Sequence, residues 1–351
     1  MRFVIREAEL PADKGILLST LIRNRDSSNN ALRKERFEWS YSTNPYGKAR
    51  AWIACDTKTN KCVGIASAFP RKILINGNPI TCMNTGDTAV DKEYRSLGLA
   101  INILQERQRG AIDNNIGFLY SYPVDNMEVV LSHLGWKTVD KFRRYGIVLN
   151  VNSFIEKYVK ARRFGSIISY PPNLLLTLWW GNFLGKREFR VRLQSKKKFD
   201  NEFDDLFESI SINYPVIGIR DSQFLNWRFL ENPLHKNLLI FRLEKADRFF
   251  GYALVDVYKD SARMVDYMVL SEELIVSLLV GVIKWLREKG IGTFAFRSLS
   301  NDPINDKFKS FGYIFKDSKD SSISVYLPQN SPYNIILEST NWYMTQADRD
   351  V

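Results

Sequence analysis

Apolar and polar residues alternate on either side of Asn76-Gly77-Asn78-Pro79, the pattern of two half-buried strands joined by a tight turn. Reading outward from that hairpin predicts strands over Ala51–Ala54, Cys62–Arg71, Lys72–Ile75 and Thr81–Val90. A strand over Phe3–Arg6 and a helix over Asp13–Ile22 precede them. A helix over Leu99–Ile112, a strand over Gly117–Tyr122, a helix over Met127–Leu134 and a strand over Arg144–Leu149 follow. Strands first, then strand and helix in alternation, describes an α/β chain of the α+β kind, with a mixed sheet flanked by helices.

The pattern repeats. Trp39-Ser40-Tyr41-Ser42-Thr43-Asn44-Pro45 recurs as Trp227-Arg228-Phe229-Leu230-Glu231-Asn232-Pro233, a W-x-aromatic-x-x-N-P motif read as a loop before a strand-like run. Asp87-Thr88-Ala89-Val90, Ile116-Gly117-Phe118 and Leu134-Gly135-Trp136 have counterparts in Asp266-Tyr267-Met268-Val269, Ile291-Gly292-Thr293 and Phe311-Gly312-Tyr313, in the same order. Matches that keep their order predict a duplicated unit. The expected division is residues 1–150, a linker over 151–199 and residues 200–351. The linker is basic and apolar, with Leu174–Trp180 expected to be buried between the halves. A second reading makes it a peripheral membrane anchor with basic flanks.

With 351 residues the chain is long enough for two cores. Its start shows no charged leader followed by an apolar stretch, so a cytoplasmic location is expected. The three cysteines, Cys55, Cys62 and Cys82, are too few for a disulfide framework and lack further ligands for zinc; no metal is expected. The net charge of +11 favours anionic partners.

Chemistry concentrates in Val90-Asp91-Lys92-Glu93-Tyr94-Arg95-Ser96-Leu97-Gly98-Leu99-Ala100, between a predicted strand and a predicted helix. Backbone N–H groups of a tight loop opening a helix converge on a pyrophosphate, and the helix dipole also favours negative charge there. Gly98 allows close approach, Ala100 keeps the first helical turn open, and Arg95 adds fixed positive charge. This stretch resembles the coenzyme motif of the GNAT superfamily of N-acetyltransferases, V-x-P-x-x-R-x-x-G-x-G or A, with Lys92 in place of the proline.

The resemblance implies two tandem GNAT-like domains, each a mostly antiparallel twisted sheet flanked by helices. It implies acetyl-CoA or another short acyl-CoA as donor, held by Ala89, Val90, Arg95, Ser96, Leu97, Gly98, Leu99, Ala100 and Asn126. The second half, with Ser271-Glu272-Glu273 and no glycine at the matching place, is expected to lack the coenzyme, because two carboxylates repel a pyrophosphate.

Family members deprotonate the amine with a carboxylate, for which Asp87 is the candidate. A structural role shared with Asp266 is the competing reading. The family's acid tyrosine falls at Leu131, so Tyr120 or Tyr122 would have to replace it. His133 and His235 have no partner constellation. Trp39, Tyr41, Asn84, Thr85 and Trp136 are the expected acceptor-side residues, with core packing as the alternative for the aromatics.

W-x-Y-x-x-N-P-x-G, Phe69–Gly77 and Tyr120-Ser121-Tyr122-Pro123 look like tandem enzymes of bacterial surface-polysaccharide synthesis. That likeness implies an amino-sugar acceptor linked to a nucleoside diphosphate. The rivals are an aminoacyl-tRNA-dependent cell-wall peptide transferase and a non-enzymatic binding module. The coenzyme loop argues against both.

Overall fold

The computed structural model describes residues 2–25, 30–112, 116–151, 188–300, 302, 305–310, 312, 314–316 and 322–349. Leu174–Trp180 and most of the predicted linker lie outside them.

From the N-terminus come β1 (Phe3–Glu7), α1 (Lys14–Asn24), α2 (Asn30–Ser42), β2 (Arg50–Asp56), β3 (Lys61–Ile75) and β4 (Asn78–Val90). A short 3-10 turn, Lys92–Leu97, leads into α3 (Leu99–Ile112), followed by β5 (Leu119–Ser121), α4 (Asp125–His133) and β6 (Lys137–Val148). Then β7 (Arg190–Leu193), α5 (Asn201–Ser211), β8 (Val216–Gly218), α6 (Ser222–Leu225) and a π-helical turn, Asn226–Leu230, lead to β9 (Leu238–Lys245), β10 (Arg248–Tyr258) and β11 (Ser261–Val269). The series ends with α7 (Leu274–Glu288), β12 (Thr293–Leu299), α8 (Asn305–Ser310), β13 (Ile314–Lys316), β14 (Ser322–Tyr326) and β15 (Trp342–Tyr343). Helices, an antiparallel three-strand meander, a helix, a strand, a helix and further strands therefore occur twice in the same order.

Local chemistry explains the turns and helices. Asn76 and Gly77, at φ 49° and 78°, make the tight β3–β4 turn; two positive φ values match the twist of the strands they join. Ala246 and Asp247, at φ 47° and 60°, turn β9 into β10 in the same way. Helix α7 buries Ile275, Leu278, Leu279, Val282, Ile283 and Leu286, the spacing of a stripe turned to a sheet.

Among the described residues all strands join one sheet, in the order β1-β2-β3-β4-β5-β14-β6-β12-β11-β10-β9-β7, with β13 on β6 and β8 joining β3 to β15. The halves exchange strands. The start of β6 pairs with β14, whereas its remainder, Phe142–Val148, pairs antiparallel with β12. In return β14 fills the place between β5 and β6. The predicted strand Arg144–Leu149 is thus the far end of a longer one that serves both halves.

The two W-x-aromatic-x-x-N-P motifs meet at the junction. They are not loops: Trp39 lies in the last turns of α2 and Trp227 in the π-helical turn. Their indoles stack at 4.8 Å between centroids. Trp39 Nε1 donates to the Trp227 carbonyl at 2.8 Å, and Trp227 Nε1 returns the bond to the Trp39 carbonyl at 3.3 Å. Asn44 and Asn232 each accept the backbone N–H two residues on, both at 2.9 Å.

Candidate functional site

Strands β4 and β5 run parallel but pair only over Met83–Thr85 against Leu119–Ser121. Beyond Thr85, β4 continues to Val90 on β3 alone, so a cleft opens between the strand ends. At its mouth the Lys92–Leu97 turn ends on Gly98, whose φ of 68° and ψ of 3° are left-handed. A Cβ there would meet nothing within 4 Å, so backbone conformation and not crowding calls for glycine. Ile101 N–H and Asn102 N–H both donate to the Gly98 carbonyl, which leaves the N–H groups at the very start of α3 to face outward.

The loop is braced from α1. Asp91 accepts Arg23 at 2.9 Å, Asn24 at 2.6 Å and Lys61 at 3.3 Å. Burial pushes its carboxyl up, but the bonds from Arg23, Asn24 and Lys61 outweigh that and hold it below the usual range. Arg95 Nε donates to the Val90 carbonyl at 2.9 Å, tying the turn to the end of β4. Beside the loop opens a cavity of about 470 Å³ whose cations are Arg23, Arg25, Lys61, Lys92 and Arg95. Five cations against Asp91 and Glu93, next to a helix N-terminus, fit a group carrying several phosphate charges. Among the loop residues, Val90 and Leu99 are buried, Ala89 and Ala100 half-buried, and Ser96 and Leu97 belong to the turn. Asn126 is exposed in the first turn of α4.

Asp87 sits where β4 bulges against β3, with a left-handed φ of 47°. Its side chain is 1% exposed. The carboxylate accepts Arg25 at 2.5 Å, Arg36 at 3.0 and 3.2 Å and the Tyr41 hydroxyl at 3.1 Å. Burial raises its pKa, but Arg36 and Arg25 together hold it below the ordinary value. A carboxylate so enclosed pins α1 and α2 to the sheet. The geometry favours that structural role over the base expected of Asp87.

Tyr120 is fully buried, and its hydroxyl donates to the Asp348 carbonyl at 3.0 Å. Asn84 Nδ2 donates to the same carbonyl at 3.2 Å. The C-terminal segment Thr345–Arg349 therefore lies across this face of β4 and β5, leaving a cavity of only about 20 Å³. Arg71 holds it through Asp348 Oδ1 at 3.2 Å, and Arg220 holds Asp348 Oδ2. Among the described residues, Asn84 Oδ1 and Thr85 Oγ1 are buried without a hydrogen-bond partner, which buried polar groups seldom are. Tyr122 packs on Tyr120 and Phe142 beneath the Arg349 guanidinium.

The aromatic acceptor candidates sit in the core. Trp39 is taken up by Trp227, Tyr41 by Ser67, Asp87 and the rings of Phe37 and Phe69, and Trp136 by Gln108 at 2.8 Å. His133 is exposed, bonded to the Val129 carbonyl, and His235 pairs with Asp256 at 2.6 Å. Sequence reasoning missed Arg71 and Arg107. Arg107 on α3 is 1% exposed, and burial pushes its pKa down to about 9; no pattern in the sequence sets it apart from the exposed Arg109 of the same helix.

In the second half β11 and β12 also pair in parallel over three residues, Ser261–Arg263 against Thr293–Ala295. Here the stretch between strand and helix is Leu270–Glu273, without glycine, and Glu272 and Glu273 are exposed just before α7. Asp266, like Asp87, is buried at a strand irregularity. It binds Arg220, Thr345 and Tyr252.

A sheet that opens toward a glycine-terminated loop and a helix N-terminus is shared with proteins of known structure. Residues 24–139 match the family model of an acetyltransferase (GNAT) domain. Over 93% of its length the chain resembles a probable N-acyltransferase from Enterococcus faecalis V583 (TM-score 0.65, 11% identity, 73% of that chain). It likewise resembles a GCN5-related N-acetyltransferase from Anabaena variabilis (TM-score 0.64, 12% identity, 93% of this chain and 73% of that one). Saccharomyces cerevisiae N-myristoyltransferase with bound myristoyl-CoA matches at a TM-score of 0.55 and 13% identity, over 93% of this chain and 79% of that one. No curated protein matches by sequence. The likeness to a GNAT acetyltransferase domain thus falls on the stretch that contains the Gly98 turn and the start of α3.

Proposed function

We propose that the chain is a tandem N-acyltransferase in which only the first half binds acyl-CoA, and that the acceptor is the amine of an amino sugar, carried on a nucleoside diphosphate and used in surface-polysaccharide synthesis. The observation that carries the coenzyme assignment is the Gly98 turn opening α3 beside five clustered cations. Asn126 and the first-turn N–H groups of α3 would hold the pantetheine and phosphate arms. The bound donor supplies an activated thioester carbonyl.

The chain's own residues position and exclude. Asn84 and Tyr120 fix the Asp348 carbonyl, so Thr345–Arg349 closes the acceptor side against water. The buried Asn84 Oδ1 and Thr85 Oγ1 offer polar contacts beside the point where the strands part. With Asp87 enclosed by Arg25, Arg36 and Tyr41, the amine attacks the thioester carbonyl in its neutral form without a carboxylate base; the C–S bond breaks as the amide forms, and the proton lost by the nitrogen leaves with the released thiol. The net charge of +11 suits an acceptor that carries a diphosphate.

A thiol-release screen crossing acyl-CoAs with nucleotide-linked amino sugars tests the reading. Turnover with at least one such sugar is expected, together with loss of activity on removing the nucleotide. Turnover of free amines or peptides in preference to every nucleotide-linked sugar would refute the acceptor and keep the donor.

A further inference from the structure

Helix α3 turns Leu99, Ile103, Leu104, Arg107 and Ala111 to the sheet. Four of the five are apolar, at the spacing of a single buried stripe; the fifth is a cation. Arg107 is almost wholly buried, and among the described residues no carboxylate pairs with it. Its Nη1 donates to Thr88 Oγ1 at 3.5 Å, its Nε is buried without a hydrogen-bond partner, and its Cζ lies 5.8 Å from the centre of the Trp136 ring. Arg71 and Arg220 are also buried, yet both hold Asp348. A ring face returns only part of what it costs to take a charge out of water. Burial lowers the Arg107 pKa to about 9, so the group stays cationic at neutral pH with its charge unanswered.

Its place in the fold says where an anion would come from. Thr88 stands three residues past Thr85, the last residue of β4 to pair with β5, on the strand edge that the parting leaves free. It is half-buried, so the cleft reaches the hydroxyl that Arg107 touches. Gly98 lies nine residues before Arg107, roughly 13 Å along the helix axis, and the arginine side chain leans back toward that end. Leu99, Leu104 and Leu119 belong to this face of the sheet, whereas Tyr120 and the Thr345–Arg349 segment it holds lie on the other. A donor with its phosphates on the Gly98 loop runs its arm down the free edge of β4, and its acyl group arrives beside Thr88 and Arg107. This placement rests on the coenzyme reading above.

We propose that Arg107 receives a carboxylate at the far end of the acyl chain, so that the preferred donor is an acyl-CoA whose acyl group ends in a carboxylate. Two parallel N–H···O bonds from a guanidinium to a carboxylate are geometrically specific and strong in a water-poor site. They give the buried cation the partner that the chain itself lacks. A neutral acyl group of similar length leaves that cation unpaired, and a site built around a polar group rejects the analogue without it. The amine still attacks the thioester carbonyl; Arg107 sets which acyl group is presented to it.

Calorimetric titration of the full chain with malonyl-, succinyl-, glutaryl- and butyryl-CoA, without acceptor, tests the proposal. At least one of the three carboxylated donors should bind at least about tenfold more tightly than butyryl-CoA. Arg107→Met should abolish that margin at an unchanged or higher melting temperature, and Arg107→Lys, which keeps the charge but not the fork, should retain part of it. A native chain in which no carboxylated donor reaches the margin, or a margin that survives Arg107→Met, overturns the proposal and leaves the coenzyme site standing. Binding of none of the four donors overturns the coenzyme reading, and this inference with it.

Discussion

The two clefts of this molecule are built alike and lined differently. In each, parallel strands pair over three residues and then part in front of a helix. In the first half that mouth holds Lys92 and Arg95 beside the turn that ends on Gly98; in the second it holds Glu272, Asp302 and three tyrosines. The lesson is that a backbone arrangement of this kind supplies an opening and a helix dipole, and a few side chains at the mouth decide what it can receive. The sheet itself is common property, since β6 and β14 each cross between the halves.

The largest expected effect comes from giving the first mouth the charge of the second. Gly98→Asp puts a side chain at a left-handed φ and a negative charge near the phosphates. Two unit charges about 4 Å apart repel by roughly 4 kcal/mol at an effective dielectric of about 20. Acyl-CoA affinity should fall by about a hundredfold or more, and turnover at low acyl-CoA with it. Retained affinity in a folded Gly98→Asp protein would place the coenzyme elsewhere.

Next is the junction that joins the halves. Trp39→Ala and Trp227→Ala should each lower stability by about 3 to 5 kcal/mol, and the double variant should lose much less than the sum, because the indoles stack and exchange hydrogen bonds. Additive losses measured in denaturant would show that the pair does not act as a unit.

The paired aspartates sharpen the comparison. Asp87→Asn leaves Arg25 and Arg36 without their carboxylate and should cost about 3 to 5 kcal/mol. Activity per folded molecule should stay within about threefold, whereas general-base loss would lower it by about a hundred- to ten-thousandfold. Their pH signs differ. The folded pKa of Asp87 lies below its ordinary value, so its stabilisation is complete above the unfolded pKa and is lost as pH falls through the folded value. Burial raises Asp266, which shares Arg220 with Asp348. Stability through Asp266 therefore falls as pH rises from the unfolded to the folded pKa, and Asp266→Asn should cost only about 1 to 3 kcal/mol at neutral pH.

The smallest effect concerns Arg107. Because burial lowers its pKa to about 9, its charge disfavours folding below that pH, and the penalty fades as pH rises toward the unfolded value. Arg107→Met should be neutral or stabilising by about 1 kcal/mol at neutral pH, with the advantage shrinking above pH 9 in urea titrations. A strong loss of turnover at unchanged stability would instead place Arg107 beside the reacting atoms.

Much of this was legible in the residues because it is local. The Asn76-Gly77 turn, the Gly98 loop and the strand-helix alternation each follow from a few neighbouring side chains. What stayed hidden depends on distant partners. Trp39 reads as a pocket aromatic until Trp227, 188 residues away, covers it. Asp87 reads as a base until Arg25 and Arg36 arrive from the helices. The exchange of β6 and β14 has no periodic signature, since a strand's alternation says which face is buried and not which strand lies beside it. Nothing in Thr345–Arg349 announces that it closes a site around Asn84 and Tyr120.

The central claim, that the first cleft alone takes the coenzyme, is tested most directly by calorimetric titration of acetyl-CoA into the full chain. One site per chain is predicted, absent in Gly98→Asp and unchanged by Glu272→Gln. Two sites per chain, or a single site that survives Gly98→Asp and is lost with Glu272→Gln, would contradict it.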